Sequence, residues 1–247
     1  GYNGHRKSMF TGQVALDLCV QNERVLLVSL EMQPERTLAR MAKQAAGSGH
    51  LDSALVSAFS RWTDGRLWLF DHVGRLTPEV TVAVCRYFAA ELKGKHVVID
   101  SMMMICGSEE SLDEQKQFVT DLVRVAQETG LHVHLITHCR KPQTGDDTRP
   151  PTKYDLRGSS AISDQAHNVI TVWVNKAKLA ALQKDPNDAA ASGKPDVRIC
   201  VEKQRNGEFE GPVGLWWHGP SMRFLDERAS LVEPYAFLGG RHDATPA

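Results

Sequence analysis

The stretch that decides the fold opens the chain, where residues 1–8 read Gly1-Tyr2-Asn3-Gly4-His5-Arg6-Lys7-Ser8. It follows the phosphate-binding pattern G-x-x-x-x-G-K-[ST] at every fixed position except the second glycine. In this pattern backbone N–H groups surround phosphate oxygens, the lysine reaches the terminal phosphates, and the hydroxyl binds Mg²⁺ at a helix N-terminus. The residues expected to hold a nucleotide are Gly1, Asn3, Gly4, His5, Arg6, Lys7 and Ser8.

The arginine at position 6 is a departure from the pattern that bears on activity. Glycine stands before the lysine because the backbone must approach phosphate without a Cβ atom. We therefore expect Arg6 to distort or crowd the phosphate cradle, which puts hydrolysis in doubt. A chance helix cap made of Gly, Lys and Ser is the other interpretation of these eight residues.

Beyond this loop, apolar runs of strand length alternate with stretches of helical periodicity. The predicted helices are 7–21, 34–45, 51–62, 77–92 and 114–129, and the predicted strands are 25–30, 67–70, 96–100, 132–137, 169–174, 197–201 and 213–217. This alternation is typical of an α/β domain with a mostly parallel sheet flanked by helices. After residue 165 the pattern predicts antiparallel strands, and residues 140–160 and 185–195 read as loops.

Length and composition are consistent with one large domain. The chain has 247 residues, of which 42% are hydrophobic, with 29 Lys and Arg against 30 Asp and Glu. A net charge of -1 provides no overall basic field for nucleic acid. There is no apolar run of membrane-spanning length, and five widely spaced cysteines indicate reduced thiols, so we expect a soluble, cytoplasmic protein that does not engage membranes.

Two predicted strands end in carboxylates, as a nucleotide-hydrolysing site requires. Asp100 closes 96–100 and is the candidate Mg²⁺ ligand, although the next residue is Ser101 rather than a second acid. Glu31 follows 25–30 and is the candidate base, because the carboxyl ends of parallel strands meet at one edge of the sheet. His138 follows the next strand at the same edge and is a candidate γ-phosphate contact.

The order of these motifs resembles the ATPase domain of hexameric replicative helicases of the DnaB type, in particular phage-encoded versions, primase-helicases and mitochondrial Twinkle. The resemblance spans about residues 1 to 225. The matching stretches are residues 1–8, Ser29-Leu30-Glu31-Met32 with Arg40-Met41, Val98-Ile99-Asp100-Ser101, Ile136-Thr137-His138, Asp155-Leu156-Arg157-Gly158-Ser159 with Asp164-Gln165, and Lys203-Gln204-Arg205-Asn206-Gly207.

The resemblance implies a RecA-like P-loop core that binds ATP and Mg²⁺ between the subunits of a six-membered ring. Lys7, Ser8 and Gln165 would bind the nucleotide, Ser8 and Asp100 the metal, and Glu31 would orient water. His138 would sense the γ-phosphate, and Lys203 and Arg205 would reach the ATP of the neighbouring subunit. The loop 140–160, with five basic and three acidic residues, would grip single-stranded DNA through Arg140, Lys141, Lys153 and Arg157.

We therefore expect a 5′-to-3′ DNA helicase motor of phage-type replication, with primase and a helicase loader as further partners. A ring-forming, single-strand-binding module without turnover and a RecA-like recombinase or regulatory ATPase are the alternatives. We expect residues 1–232 to form the ATPase domain, without the core strand that precedes the phosphate loop in this family, and residues 233–247 to form a flexible tail.

Overall fold

The first half of the molecule is built on a four-stranded parallel sheet in the order β2-β1-β3-β4. The strands are β1 (Val25–Ser29), β2 (Leu67–Leu69), β3 (His96–Asp100) and β4 (His132–Leu135). Ser29 of β1 pairs with Asp100 of β3, so these two strands end at the same level. The computed structural model describes residues 1–107, 111–140 and 148–235.

Helices cover both faces of this sheet. They are α1 (Lys7–Val20), α2 (Pro34–Ala46), α3 (Ser53–Thr63), α4 (Pro78–Ala90) and α5 (Leu112–Thr129). Alternate residues of β1 enter different cores: Leu26 and Val28 pack with Phe88 and Phe118 of α4 and α5, whereas Val25 and Leu27 pack beneath α1–α3. A strand buried on both faces reads as a continuous apolar run, which is why the sequence predicted it well.

The second half is a four-stranded antiparallel sheet in the order β5-β6-β7-β8. Its strands are β5 (Asn168–Val174), β6 (Val197–Gln204), β7 (Gly211–His218) and β8 (Arg223–Leu225), and a short α6 (Ala161–Gln165) precedes them. The predicted parallel sheet with C-terminal antiparallel strands is thus confirmed. The connection from β5 to β6 differs from the prediction, because it contains α7 (Lys176–Lys184) and one helical turn, α8 (Ala189–Ser192).

The phosphate-binding loop lies between the two sheets and is tied to both. On the side of the parallel sheet, Cys139, just beyond β4, donates its backbone N–H to the carbonyl of Gly1 at 3.1 Å. On the other side the backbone N–H of Val174 in β5 donates to Nδ1 of His5 at 3.0 Å. His5 is completely buried, so its ring anchors the loop to the antiparallel sheet.

The predicted flexible tail from residue 233 is packed at its start. Tyr235 stacks on Trp62 of α3 with ring centroids 6.0 Å apart, and its hydroxyl donates to Asp17 of α1. Its backbone N–H donates to the carbonyl of Ala45 at 2.8 Å. Residues 236–247 lie outside the described part of the chain. Among the described residues no helix combines the length and apolar character needed to cross a membrane.

Candidate active site

Backbone conformation, rather than side-chain size, explains how the loop accommodates an arginine. Gly4 has φ 74° and Arg6 has φ 61°, so both adopt the left-handed conformation that glycine provides most easily. The Arg6 guanidinium lies 4.0 Å from the centre of the Trp217 ring on β7. A cation over an indole face is a favourable contact, and here it draws the arginine side chain toward the antiparallel sheet.

Lys7 lies at the centre of the site. Its ammonium donates to the carbonyl oxygens of Gly1 and Tyr2 at 3.1 and 2.9 Å, and it lies 3.3 Å from Nδ1 of His138. Burial lowers the pKa of Lys7, and the negative charges of Asp100 and Glu31 oppose this shift. Because an ammonium can only donate, Nδ1 of His138 accepts and the ring proton of a neutral His138 lies on Nε2.

Ser8 and Asp100 form a pair of oxygen ligands. The Ser8 side chain hydrogen-bonds the Asp100 carboxylate. Burial, together with the negative charge of Glu31, raises the pKa of Asp100, and the Ser8 bond and the charges of Lys7 and Arg40 oppose this shift only in part. A hydroxyl and a carboxylate, both oxygen donors at one point of the wall, are the kind of partial ligand set that Mg²⁺ takes together with water and phosphate oxygens. These residues therefore fit the predicted metal.

Glu31 is held by one hydrogen bond and lies near the ring of His138. Ser101, which is fully buried, donates its hydroxyl to Oε1 of Glu31 at 2.7 Å. The same oxygen lies 3.8 Å from Nε2 of His138, on which the tautomer argument places the ring proton. Burial first, and then the positive charge of Lys7, lower the pKa of His138, which favours the neutral ring. In the sequence Ser101 stands where a second acid would follow Asp100, and no role was predicted for it. In the structure its hydroxyl positions the candidate base Glu31.

Lys7, Ser8, Glu31, Asp100 and His138 face one cavity of about 460 Å³. Its walls are Asn3, Gly4, His5, Arg6, Lys7, Ser8, Met9, Glu31, Arg40, Asp100, Met103, His138 and Arg157. The volume lies within the range of about 300–1,000 Å³ that is usual for small-molecule sites. The sequence predicted no site role for Arg40, although Arg40 lies within a stretch quoted for the resemblance.

Arg157 is one of the predicted DNA contacts, and the structure places it at the cavity. It lines the cavity beside His138, and its backbone N–H donates to the carbonyl of His138 at 2.9 Å. Gly158 follows with φ 104°, where a Cβ atom would lie 2.2 Å from Oε1 of Gln115. The same Gln115 oxygen accepts the backbone N–H of Ser159 at 2.9 Å. A buried glutamine on α5 thus fixes the turn that brings Arg157 to the cavity.

Other predicted site residues lie away from this cavity. Oε1 of Gln165 accepts a hydrogen bond from Thr120 of α5 at 3.0 Å, so the structure does not bring it to the phosphate loop. Lys203 donates to the carbonyls of Ser163 and Asp164 at 2.9 Å each, and Arg205 lies 3.5 Å from the Asp164 carbonyl.

The predicted DNA-binding cations are divided by the fold. Arg140 is exposed, and its backbone N–H donates to the carbonyl of Asp155 at 2.7 Å, which places it beside the one-turn 3₁₀ helix Lys153–Asp155. Lys141 lies outside the described residues. Arg140 and Lys153 therefore lie close together at the base of this loop, whereas Arg157 lines the cavity.

Comparison with known proteins agrees with this fold. The model of the family described as DnaB-like helicase C terminal domain matches residues 2–226. The replicative DNA helicase DnaC of Bacillus subtilis (strain 168) is 25% identical over 242 residues, which cover 92% of this chain and 49% of that protein. The replicative DNA helicase DnaB of Geobacillus stearothermophilus is 25% identical over 228 residues, covering 84% and 46%.

Two solved structures share the fold at 18% identity. The first, described as an ATPase domain, superposes with a TM-score of 0.71 and covers 92% of this chain and 82% of that one. The second, a DnaB-like replicative helicase described with its interactions with primase, has a TM-score of 0.72 and covers 91% and 55%. The chain spans about half the length of the curated relatives, at 49% and 46%. The family match over residues 2–226 identifies it as a member of the DnaB-like helicase C-terminal domain family.

Proposed function

We propose that this chain is the ATP-hydrolysing motor domain of a replicative DNA helicase that moves 5′ to 3′ along single-stranded DNA. The observation that supports the proposal most is the convergence of Lys7, Glu31, Asp100 and His138 on one cavity, from a loop and three strand ends. Membership of the DnaB-like helicase C-terminal domain family supports a helicase ATPase role. The direction of movement and the use of subunit interfaces belong to the proposal.

Each residue has a defined task in this mechanism. Lys7 would bind the β- and γ-phosphates, and its present acceptors, the carbonyls of Gly1 and Tyr2, keep the ammonium at the mouth of the loop. Glu31, oriented by Ser101, would take the proton of the attacking water. Ser8 and Asp100 would hold Mg²⁺, which when bound neutralises charge that develops on the phosphates. His138 would report the γ-phosphate to the loop that follows it.

Completion of the site by a second subunit is consistent with where Lys203 and Arg205 lie. Their heads reach the end of α6, and neither residue lines the cavity of its own chain. We propose that in a ring, which we expect to be hexameric, they contact the nucleotide of the adjacent subunit as charge-stabilising fingers. Arg140 and Lys153, with Lys141, would contact DNA phosphates in the channel. Primase and a loader remain proposed partners.

The test is ATP turnover with and without single-stranded DNA. We expect DNA-stimulated hydrolysis in the native chain and its loss, by a factor of about 10² or more, in Lys7→Ala, because phosphate positioning and charge stabilisation would be removed. Lys184→Ala, an exposed lysine at the end of α7, is the matched control and should leave turnover unchanged. Turnover that persists in Lys7→Ala would contradict the proposal.

A second candidate, a ring-forming single-strand-binding module without turnover, is favoured by one observation, the arginine at the glycine position. It predicts salt-sensitive DNA binding in the absence of hydrolysis. Arg6→Gly separates the two candidates further, since a large gain in rate would show that the missing glycine is the defect. Because the Arg6 side chain packs on Trp217, we expect the native loop to bind nucleotide without this change.

A further inference from the structure

Tyr154 is an exposed aromatic residue that the mechanism leaves unexplained. Its side chain is 84% exposed, although tyrosine normally buries much of its ring. It is the middle residue of the 3₁₀ helix Lys153–Asp155. This helix follows residues 141–147 in the chain, which lie outside the described residues. A large aromatic ring exposed beside a lysine is suited to contact a ligand.

The turn that presents Tyr154 is held rigidly. The Asp155 carboxylate accepts the Thr152 backbone N–H at 2.7 Å and the Thr152 hydroxyl at 3.0 Å, and the two residues form a capping box. Arg149 adds a two-pronged contact to Asp155, at 2.9 and 3.3 Å. The Lys153 N–H donates to Glu202 of β6 at 3.3 Å. The backbone that presents the ring therefore loses little conformational freedom when a ligand binds.

The charges around the ring favour an anionic partner. The Lys153 ammonium lies 5.6 Å from the centre of the Tyr154 ring. The exposed Arg140 is close by, because its backbone N–H donates to the carbonyl of the next residue, Asp155. The acidic groups nearby are already engaged: Asp155 by the capping box and Arg149, and Glu202 by the Lys153 N–H. An exposed aromatic face among cations is the arrangement with which proteins bind single-stranded nucleic acid.

We propose that the ring of Tyr154 stacks on a base of single-stranded DNA while Arg140 and Lys153 contact the flanking phosphates. This inference rests on the proposed function. It adds a contact to a DNA base, whereas the cations alone would contact only the phosphates of the DNA backbone. Stacking accepts every base, as a motor that moves along any sequence requires. Tyr154 is three residues from Arg157, so base contact and the cavity share one short segment.

The experiment compares binding to a single strand of thymidylates with binding to an abasic strand that has the same number of phosphates. Fluorescence anisotropy over a range of salt concentrations gives an affinity and a salt dependence for each. The native chain should bind the strand with bases at least about fivefold more tightly. Tyr154→Ala should remove this difference and keep the salt dependence, whereas Tyr154→Phe and Tyr154→Trp should preserve both.

Tyr87→Ala is the matched control, because Tyr87 is 61% exposed on α4 and does not line the cavity. Retention of the base-dependent affinity in Tyr154→Ala would overturn the inference and leave the proposed function intact. Loss of oligomers in Tyr154→Ala, measured by sedimentation, would instead show that the tyrosine side chain packs on a second copy of the chain, and would overturn the inference. If the native chain fails to bind either strand at low salt, both the inference and the proposed function are wrong.

Discussion

Arg6 shows how one residue can depart from a motif without dismantling it. The backbone at φ 61° follows the path that a glycine would take, and the side chain contacts Trp217 at 4.0 Å. A non-glycine residue in the left-handed region costs about 1 kcal/mol or more, and a cation over an indole returns about 0.5–2 kcal/mol. The two effects are of similar size, so the loop tolerates the arginine.

This balance predicts an unusual order of stability for two variants. In Arg6→Gly the relief of backbone strain offsets the lost cation–π contact, so we expect a free energy of unfolding within about 1 kcal/mol of the native value. Arg6→Ala loses the contact and keeps the strain, so we expect it to be about 1 kcal/mol less stable than Arg6→Gly. Urea unfolding measures both, and an alanine variant at least as stable as the glycine variant would contradict the explanation.

At the scale of elements, helix α5 does more than cover the sheet. Phe118 and Leu122 pack in the core, while the buried Gln115, one turn earlier, holds the backbone of the turn at Gly158 and Ser159. The next residue toward the N-terminus from this turn is Arg157, in the cavity. A helix from one part of the chain thus sets the position of a cation from another.

The role of Gln115 leads to a test with a built-in control. Gln115→Leu removes the acceptor of the partly buried Ser159 N–H, so we expect the free energy of unfolding to fall by about 1 kcal/mol or more. Gln117→Leu, on the exposed side of the same helix, should change it by about 0.5 kcal/mol or less. Chemical denaturation provides the comparison, and equal effects of the two changes would remove Gln115 from this role.

At the scale of the whole molecule, a cluster of histidines lies on the parallel sheet, at the edge opposite the cavity. His96 begins β3 and His132 begins β4, and these two residues pair across the strands. The rings of His132 and His134 stack with centroids 4.4 Å apart, and Nδ1 of His96 lies 3.3 Å from Nε2 of His134. Burial, and then the charges of His132 and His96, lower the pKa of His134 to about 3.

The lowered pKa predicts loss of stability in mild acid. Between the unfolded-state pKa of about 6.5 and the folded-state value of about 3, the unfolded chain binds a proton that folded His134 does not, so stability falls as the pH falls. From pH 7 to 5 this effect amounts to about 1–2 kcal/mol. We expect His134→Phe to lose less stability over this interval in urea titrations, and the exposed His50→Gln to behave like the native chain. An unchanged pH dependence in His134→Phe would contradict this assignment.

Charge at the molecular scale also needs a local interpretation. The net charge of -1 suggests no affinity for nucleic acid, but the loop that begins at Arg140 holds an excess of basic residues. In the structure Arg140, Arg149 and Lys153 meet at the base of this loop, while Arg157 turns into the cavity. Among the described residues of this loop, the basic side chains are therefore divided between the loop base and the cavity.

The sequence alone determined the alternation of strands and helices, the phosphate loop, and the acids at the ends of β1 and β3. These features follow from local periodicity and from short motifs, and parallel strands necessarily bring their carboxyl ends to one edge. They were sufficient to predict an α/β fold with a mostly parallel sheet, and the resemblance carried by the longer motif strings predicted the RecA-like core and the family. The untested roles of Glu31, Asp100 and His138 remain predictions, supported by their meeting at one cavity.

Only the tertiary structure decided where individual side chains point. The contact of Arg6 with Trp217, the entry of Arg157 into the cavity and the bond of Thr120 to Gln165 each depend on a partner remote in the chain. The helix Lys176–Lys184, with a weakly amphipathic sequence, was missed because its periodicity is faint, and the buried Lys178 pairs with Asp196 at 2.7 Å. Local patterns specify elements, whereas side-chain direction is set by packing among distant segments, which no local pattern records.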